Sequence, residues 1–112
     1  MGNRDLSLSA LRVLRALMIN ASVPHYGLEL ASRSGVKAGG LYPILARLEA
    51  DGWITGTWEQ IDERSAGRRR RRYYQLSALG ERQGRKLLER TAAELDPPDP
   101  GATARRRTVW AP

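Results

Sequence analysis

The chain has 112 residues and a net charge of +7, from nineteen Lys and Arg against twelve Asp and Glu, with no cysteine and a single histidine. That length suits one small domain with its own core. Without cysteine, and with only His25, the chain has no disulfide framework, no thiolate or His-rich metal site and no Ser/His/Asp charge system. No carboxylate pair sits in a pocket-forming motif, so an enzyme is not expected, nor a cofactor or a metal. No apolar run approaches the roughly 18 residues of a membrane span, and the start lacks an apolar leader. A cytoplasmic protein with no membrane partner is the expectation.

The charge is unevenly spread. Residues 61–76 hold six Arg against Asp62 and Glu63, which accounts for +4 of the +7. A localised basic patch is what a polyanion-binding surface needs, because neutralising phosphates releases condensed counterions.

In chain order, residues 1–6 read as a loose arm with one basic residue, Arg4. Ser7 or Ser9 can cap a first helix from about Leu8 to Asn20, striped by Leu11, Leu14, Leu17 and Met18. That stripe is core, with part of it available to a second subunit. Asn20 to Pro24 breaks the helix. His25 reads as a satisfied structural or solvent-facing histidine rather than a ligand. Tyr26 to Ser34 forms a short second helix, with Leu28 and either Ala31 or Leu30 facing inward, and Gly35 ends it. Two short helices joined across a glycine are a helix-turn-helix pattern.

The third helix is the element the rest is organised around. Leu41, Ile44, Leu45 and Leu48 fall at i, i+3, i+4 and i+7, so one side faces a core. The other side carries Gly39, Tyr42, Pro43, Ala46 and Arg47. Pro43 is comfortable only in a first turn, which places the helix start near Ala38–Gly40. Bare amides at that end, close to Lys37, can approach phosphate oxygens. Asp51-Gly52 stops the helix. A strand follows from Trp53 to about Gln60, with Ile54 and Trp58 on one face, then a turn over Asp62 to Gly67. The returning strand runs from Arg71 to Leu76, with Tyr74 and Leu76 inward and Arg71, Tyr73 and Gln75 outward. Arg64 and Arg68–Arg72 load this hairpin, and five consecutive arginines in a strand must point to both sides. Trp53 and Trp58 read as core or hinge packing.

Ser77 can cap a fourth helix over about residues 78–95. Its apolar set is thin (Leu79, Leu87, Leu88, Ala92, Leu95), and Gly80 and Gly84 each cost about 1 kcal/mol against Ala. Such a helix relies on partners, and Leu88, Ala92 and Leu95 form a stripe that can pair with a second copy. Asp96 to Gly101 ends regular structure, leaving a Pro-rich and then basic tail with Arg105–Arg107 and Trp110. The expected architecture is mainly α with a small β-hairpin: a winged helix-turn-helix plus a C-terminal dimerisation helix over 1–95, and a flexible tail over 96–112.

Three segments carry a resemblance: Tyr26-Gly27-Leu28-Glu29-Leu30, the run Gly40 to Ile54 (GLYPILARLEADGWI), and the run Arg72 to Gly80 (RYYQLSALG). In order and spacing they resemble the PadR family of bacterial transcriptional regulators, over roughly residues 8–95. The short length and single C-terminal helix are similar to its small subgroup. The resemblance implies a homodimer that binds a palindromic operator and represses transcription until an effector or partner releases it. It also implies DNA contacts from Tyr42 and the residues before it, with the Arg-rich hairpin as the wing. Two departures stand out. Ala38-Gly39-Gly40 replaces the Ser or Thr often found near the start of the recognition helix. Residues 78–95 hold no aromatic side chain, so the drug site that some members form between C-terminal tryptophans does not carry over, and an effector is unassigned.

The functional expectation is therefore sequence-specific binding of double-stranded DNA by a homodimeric repressor. The DNA-binding residues expected are Lys37, Ala38, Gly39, Gly40, Tyr42, Pro43, Arg47, Arg64, Arg68, Arg69 and Arg70. Leu11, Leu14, Leu88, Ala92 and Leu95 are expected at the dimer interface. The competing readings are a winged-helix module that grips an acidic protein and a basic RNA-associated protein.

Overall fold

The structure is a computed structural model that describes residues 6–96. The expectations for Arg4, Arg105–Arg107 and Trp110 lie outside the described residues. Helix α1 spans Leu8–Met18, capped by Ser7, whose hydroxyl accepts from the Ala10 amide at 3.1 Å. Leu14 and Leu17 are fully buried, as are Val13 and Ala16, while Leu11 and Met18 are partly covered. This corrects one expectation: Leu14, at 0% exposed, lies wholly in its own core and has no surface to offer a second subunit.

A short strand β1, His25–Tyr26, leads into helix α2, Gly27–Ser34. The inner side of α2 is set by Gly27, Leu30 and Ser34, at i, i+3 and i+7, so Leu28 faces away and is 74% exposed, contrary to the inward placement expected. Gly35, at φ 74°, supplies the left-handed turn that only a residue without Cβ takes at little cost, and helix α3 follows over Ala38–Ala50. Leu41, Leu45 and Leu48 are fully buried against Leu14, Leu17 and Leu30 within one core. Pro43 lies in the second turn rather than the first. A mid-helix proline costs roughly 3 kcal/mol, whereas burying each of three leucines contributes about 1.5–3 kcal/mol. Packing outweighs the missing hydrogen bond, and both Gly39 and Pro43 are exposed, so water can reach the carbonyl that Pro43 leaves without a donor.

Asp51 and Gly52 (φ 76°) end α3, and strand β2 runs over Ile54–Trp58. Where a turn was expected, Glu63–Ala66 forms a single helical turn, α4, capped by the Asp62 carboxylate and closed by Gly67. Strand β3, Arg72–Leu76, pairs antiparallel with β2 in the register Ile54↔Leu76 to Trp58↔Arg72. It also pairs with β1 (His25↔Tyr74), so the sheet has three strands in the order β1-β3-β2 rather than being a bare hairpin. Tyr74 and Leu76 are buried as expected. His25 is buried and structural: its Nε2 lies 3.0 Å from the Asn20 carbonyl, and its Nδ1 3.4 Å from the Arg33 guanidinium.

Helix α5 covers Ala78–Leu95. Ser77 joins its start to the end of α3: the hydroxyl accepts from the Gly80 amide at 3.0 Å and donates to the Gly52 carbonyl at 2.7 Å. The two glycines that weaken α5 in isolation turn out to be the reason it can dock. A Cβ on Gly80 would collide with the Trp53 backbone carbonyl, and one on Gly84 would lie 2.8 Å from Met18 Cε and 3.0 Å from Leu14 Cδ1. Close approach to β2 and α1 requires both.

Gly80→Ala sets two effects against each other. Helix propensity gains about 1 kcal/mol, while forcing a methyl group against a fixed carbonyl costs about 1–3 kcal/mol or more. The variant is expected to unfold at lower urea than the parent, and an equal or higher urea midpoint would refute the packing account.

Candidate nucleic-acid interface

The core face of α3 fixes which of its residues face out. Gly39, Tyr42, Pro43, Ala46 and Arg47 are all exposed. Tyr42, 46% exposed, leans on α2: its hydroxyl lies 2.6 Å from where a Gly27 Cβ would stand. Gly27 is therefore the seat of the Tyr42 ring, a role with no signal in the sequence pattern. At the start of α3, Lys37 is the N-cap residue and is exposed, with no side-chain hydrogen bond capping the first turn. The amides of Ala38 and Gly39 thus open outward at the positive end of the helix dipole.

The arginine run divides by partner. Arg72 shares its face of β3 with the buried Tyr74 and Leu76 and reaches across Gly56 to Glu49 of α3, Nη2 to Oε2 at 2.9 Å. Its guanidinium also lies 5.3 Å from the Trp58 ring centroid. A Cβ on Gly56 would sit 2.6 Å from Arg72 Nη2, so the glycine makes room for a tie between wing and recognition helix. Arg70 lies over the Trp58 ring at 5.3 Å and Arg71 over Tyr26 at 5.1 Å, distances at which a cation is drawn to the ring face. Trp58 is 47% exposed and acts as a platform for arginines, not as the core residue that its parity with Ile54 suggested; Trp53 does pack in the core. Arg64 and Arg69 are exposed.

Arg68 is placed differently. Its guanidinium grips Glu59 with both terminal nitrogens, at 2.7 and 2.9 Å. Glu59 is 7% exposed and also accepts from the Arg71 amide at 3.1 Å and the Tyr26 hydroxyl at 3.3 Å. The hydrogen bonds from Arg68, helped by the Arg71 amide and opposed by burial, hold the Glu59 carboxyl down at about 2. Tyr26 in turn meets Tyr73, hydroxyl to hydroxyl at 2.9 Å with the rings stacked. Glu63 accepts from the Arg70 amide at 2.7 Å. Glu49, Glu59 and Glu63 organise the basic ribbon, and the only sequence sign of this was acidic residues flanking an arginine run.

Tyr42 and Arg70–Arg72 line one open cleft of about 610 Å³, together with Tyr26, Leu28 and Trp58. Tyr42 of α3 and Arg70–Arg72 of the ribbon thus open onto one cleft, while Lys37–Gly40, Pro43, Arg47, Arg64, Arg68 and Arg69 lie outside its lining. A second groove of about 540 Å³ runs elsewhere, between α1 and α5, lined by Leu8, Leu11, Arg12, Arg15, Leu88, Ala92 and Leu95. Among the described residues, no cluster of His, Asp and Glu could hold a metal, and no helix is long and apolar enough to cross a membrane.

A helical pair that exposes its second helix beside a basic β-ribbon defines a winged helix-turn-helix protein. The sequence model of the transcriptional regulator PadR-like family matches residues 16–86. The chain belongs to that family of transcriptional regulators and is not an enzyme. No curated protein matches it. Among solved structures it is similar to smu.1704 from Streptococcus mutans UA159, with 26% identity over 79% of this chain and 81% of the other at a TM-score of 0.61. A PadR-like transcription factor from Bacteroides fragilis is 25% identical over 79% and 84% of the two chains, with a TM-score of 0.60. Reduced AbfR bound to DNA shares the fold, at 21% identity over 95% and 70% and a TM-score of 0.64.

Glu59 has a depressed pKa, so its contribution to stability is present above the ordinary carboxylate range and is lost as pH falls from that range towards 2. Glu59→Gln is expected to melt at a lower temperature than the parent at pH 7, with the difference shrinking as the pH is lowered through that window. A melting-temperature gap that stays constant from pH 7 to about pH 2 would contradict the assignment.

Proposed function

We propose that this PadR-like regulator is a homodimeric repressor that binds duplex DNA in a sequence-specific way, through α3 in the major groove and the β2–β3 wing beside it. The observation that carries this reading is the shared cleft of Tyr42 and Arg70–Arg72, which joins helix and wing in one surface. Family membership and a DNA-bound structure of the same fold support it. Tyr42 and Arg47 reach base edges or flanking phosphates, while Pro43 and the small residues Ala38, Gly39 and Gly40 let the backbone come close to the duplex. Lys37, Arg64, Arg69 and Arg70 supply salt-dependent affinity.

The dimer forms through the apolar groove of α1 and α5, where Leu11, Leu88, Ala92 and Leu95 face a second copy. The exposure of Leu8 and Leu95 at its rim supports this. Two-fold symmetry then sets half-sites about 10 bp apart.

Selecting bound duplexes from a random pool, with the mass of the protein in solution measured alongside, tests the whole reading. A palindromic consensus and a dimer mass are expected; negligible affinity for any duplex at low salt would reject it. Tyr42→Ala and Gly27→Ala are each expected to weaken binding to the selected site at least several-fold while the melting curve stays cooperative. The Ala substitution at Gly27 acts by displacing the Tyr42 ring. Replacing both Arg69 and Arg70 with Ala is expected to lower the log–log salt slope by about 0.9 for each phosphate that is no longer neutralised. Ala92→Glu combined with Leu95→Glu, both at exposed positions, is expected to halve the mass seen by light scattering.

A further inference from the structure

Six arginines between residues 61 and 76 look like six equivalent phosphate contacts, but their surroundings differ. Arg64 and Arg69 are exposed, with no ion pair among the described residues. Arg68 instead forms a two-pronged ion pair at 2.7 and 2.9 Å with a carboxylate that is 7% exposed. Paired, charge-assisted contacts of this fork geometry are the strong ones. Pulling Arg68 away to a phosphate would leave Glu59 buried without its countercharge, next to a polyanion. Loss of a buried partner of this kind costs far more than an exposed phosphate contact returns.

The same carboxylate ties three parts of the molecule together. It accepts from Arg68 just beyond α4, from the Arg71 amide at the base of β3, and from Tyr26 at the start of α2. The Glu59 amide closes the opposite bond by donating to the Arg71 carbonyl at 2.8 Å. The Tyr26–Tyr73 contact extends the link across the sheet.

Resting on the DNA-binding reading above, we infer that Glu59 and Arg68 are positioning residues of the interface: together they lock the wing to the start of α2, and Arg68 is not one of the wing's phosphate contacts. The lock sets the angle at which Arg69 and Arg70 meet a duplex held by α3. It also lowers the number of cations the wing presents to DNA below the number in its sequence. Glu59 lies beneath the basic ribbon without repelling DNA, because Arg68 neutralises it in place.

The test is the salt dependence of binding to a short random-sequence duplex between about 50 and 200 mM salt. Three variants are compared with the parent: Arg68→Ala, the double change Glu59→Gln with Arg68→Gln, and Arg69→Ala. For the double change, which removes one charge of each sign, affinity is expected to fall several-fold at every salt concentration with the log–log slope unchanged, giving a line parallel to the parent's. Arg68→Ala, which also bares the Glu59 carboxylate, is expected to bind more weakly than the double change. Arg69→Ala is expected to lower the slope by about 0.9. A slope that falls as much for the double change as for Arg69→Ala overturns the inference, as does unchanged affinity in both lock variants.

If either lock variant does not fold, guanidinium NMR of the unaltered protein decides. The Arg68 signal is expected to be protected from exchange in the free protein and to keep its position when duplex is added, while the Arg69 signal moves. A moving Arg68 signal overturns the lock. A parent protein that binds no duplex at the low-salt end instead rejects the DNA-binding reading, and the protection of Arg68 in the free protein still judges the lock.

Discussion

Three leucines on one side of α3, Leu41, Leu45 and Leu48, anchor this molecule. Packed against Leu14, Leu17 and Leu30, they fix the rotation of the helix about its own axis. Once that rotation is fixed, Tyr42 and Arg47 must face outward, because residues about half a turn from a buried stripe cannot share its environment. The same burial carries a proline in the second turn, which an isolated helix would not tolerate there. The exposure of the outer face therefore depends on apolar contacts on the opposite side of the helix.

A second constraint is electrostatic. Adjacent arginines repel one another, and a ribbon with five in succession needs a reason to hold one shape. Three carboxylates and two aromatic rings supply it. Glu49 ties Arg72 to the recognition helix, Glu59 takes Arg68, and Glu63 accepts from the Arg70 amide, while Trp58 and Tyr26 lie beneath Arg70, Arg71 and Arg72. An exposed ion pair contributes only about 0–1 kcal/mol, so these contacts matter less for overall stability than for where the guanidinium groups sit. The nearly buried Glu59 is the exception, since its pairing also removes the cost of a charge away from water.

The α5 helix shows how a local weakness becomes a packing device. Its two glycines lower helix propensity, yet they face the Trp53 backbone and the Leu14 and Met18 side chains, where any larger residue would hold the helix off. Ser77 reinforces the junction by bonding both the first turn of α5 and the carbonyls at the end of α3. Helix α5 thus reports on the placement of α3 and β2 while leaving Leu88, Ala92 and Leu95 along the groove it makes with α1.

Much of this was legible from residue order alone, for local reasons. Helical periodicity identified the buried side of α3, Ser77 and the pair Ser7 or Ser9 (of which Ser7 is the cap) marked helix starts, and Gly35 and Gly52 marked turns that need a left-handed residue. Alternation gave β3 its inward Tyr74 and Leu76. Tertiary structure decided what depends on neighbours distant in the chain. A strand of two residues, His25–Tyr26, is too short to show a period and exists because β3 lies beside it. Leu28 is exposed and Leu14 wholly enclosed because α1, α2 and α3 together define one interior, which spacing within a single helix cannot specify. Likewise, six arginines look alike as letters. Only folding, by bringing Glu49 and Glu59 to two of them, separated the charges that hold the wing in place from those left facing outward.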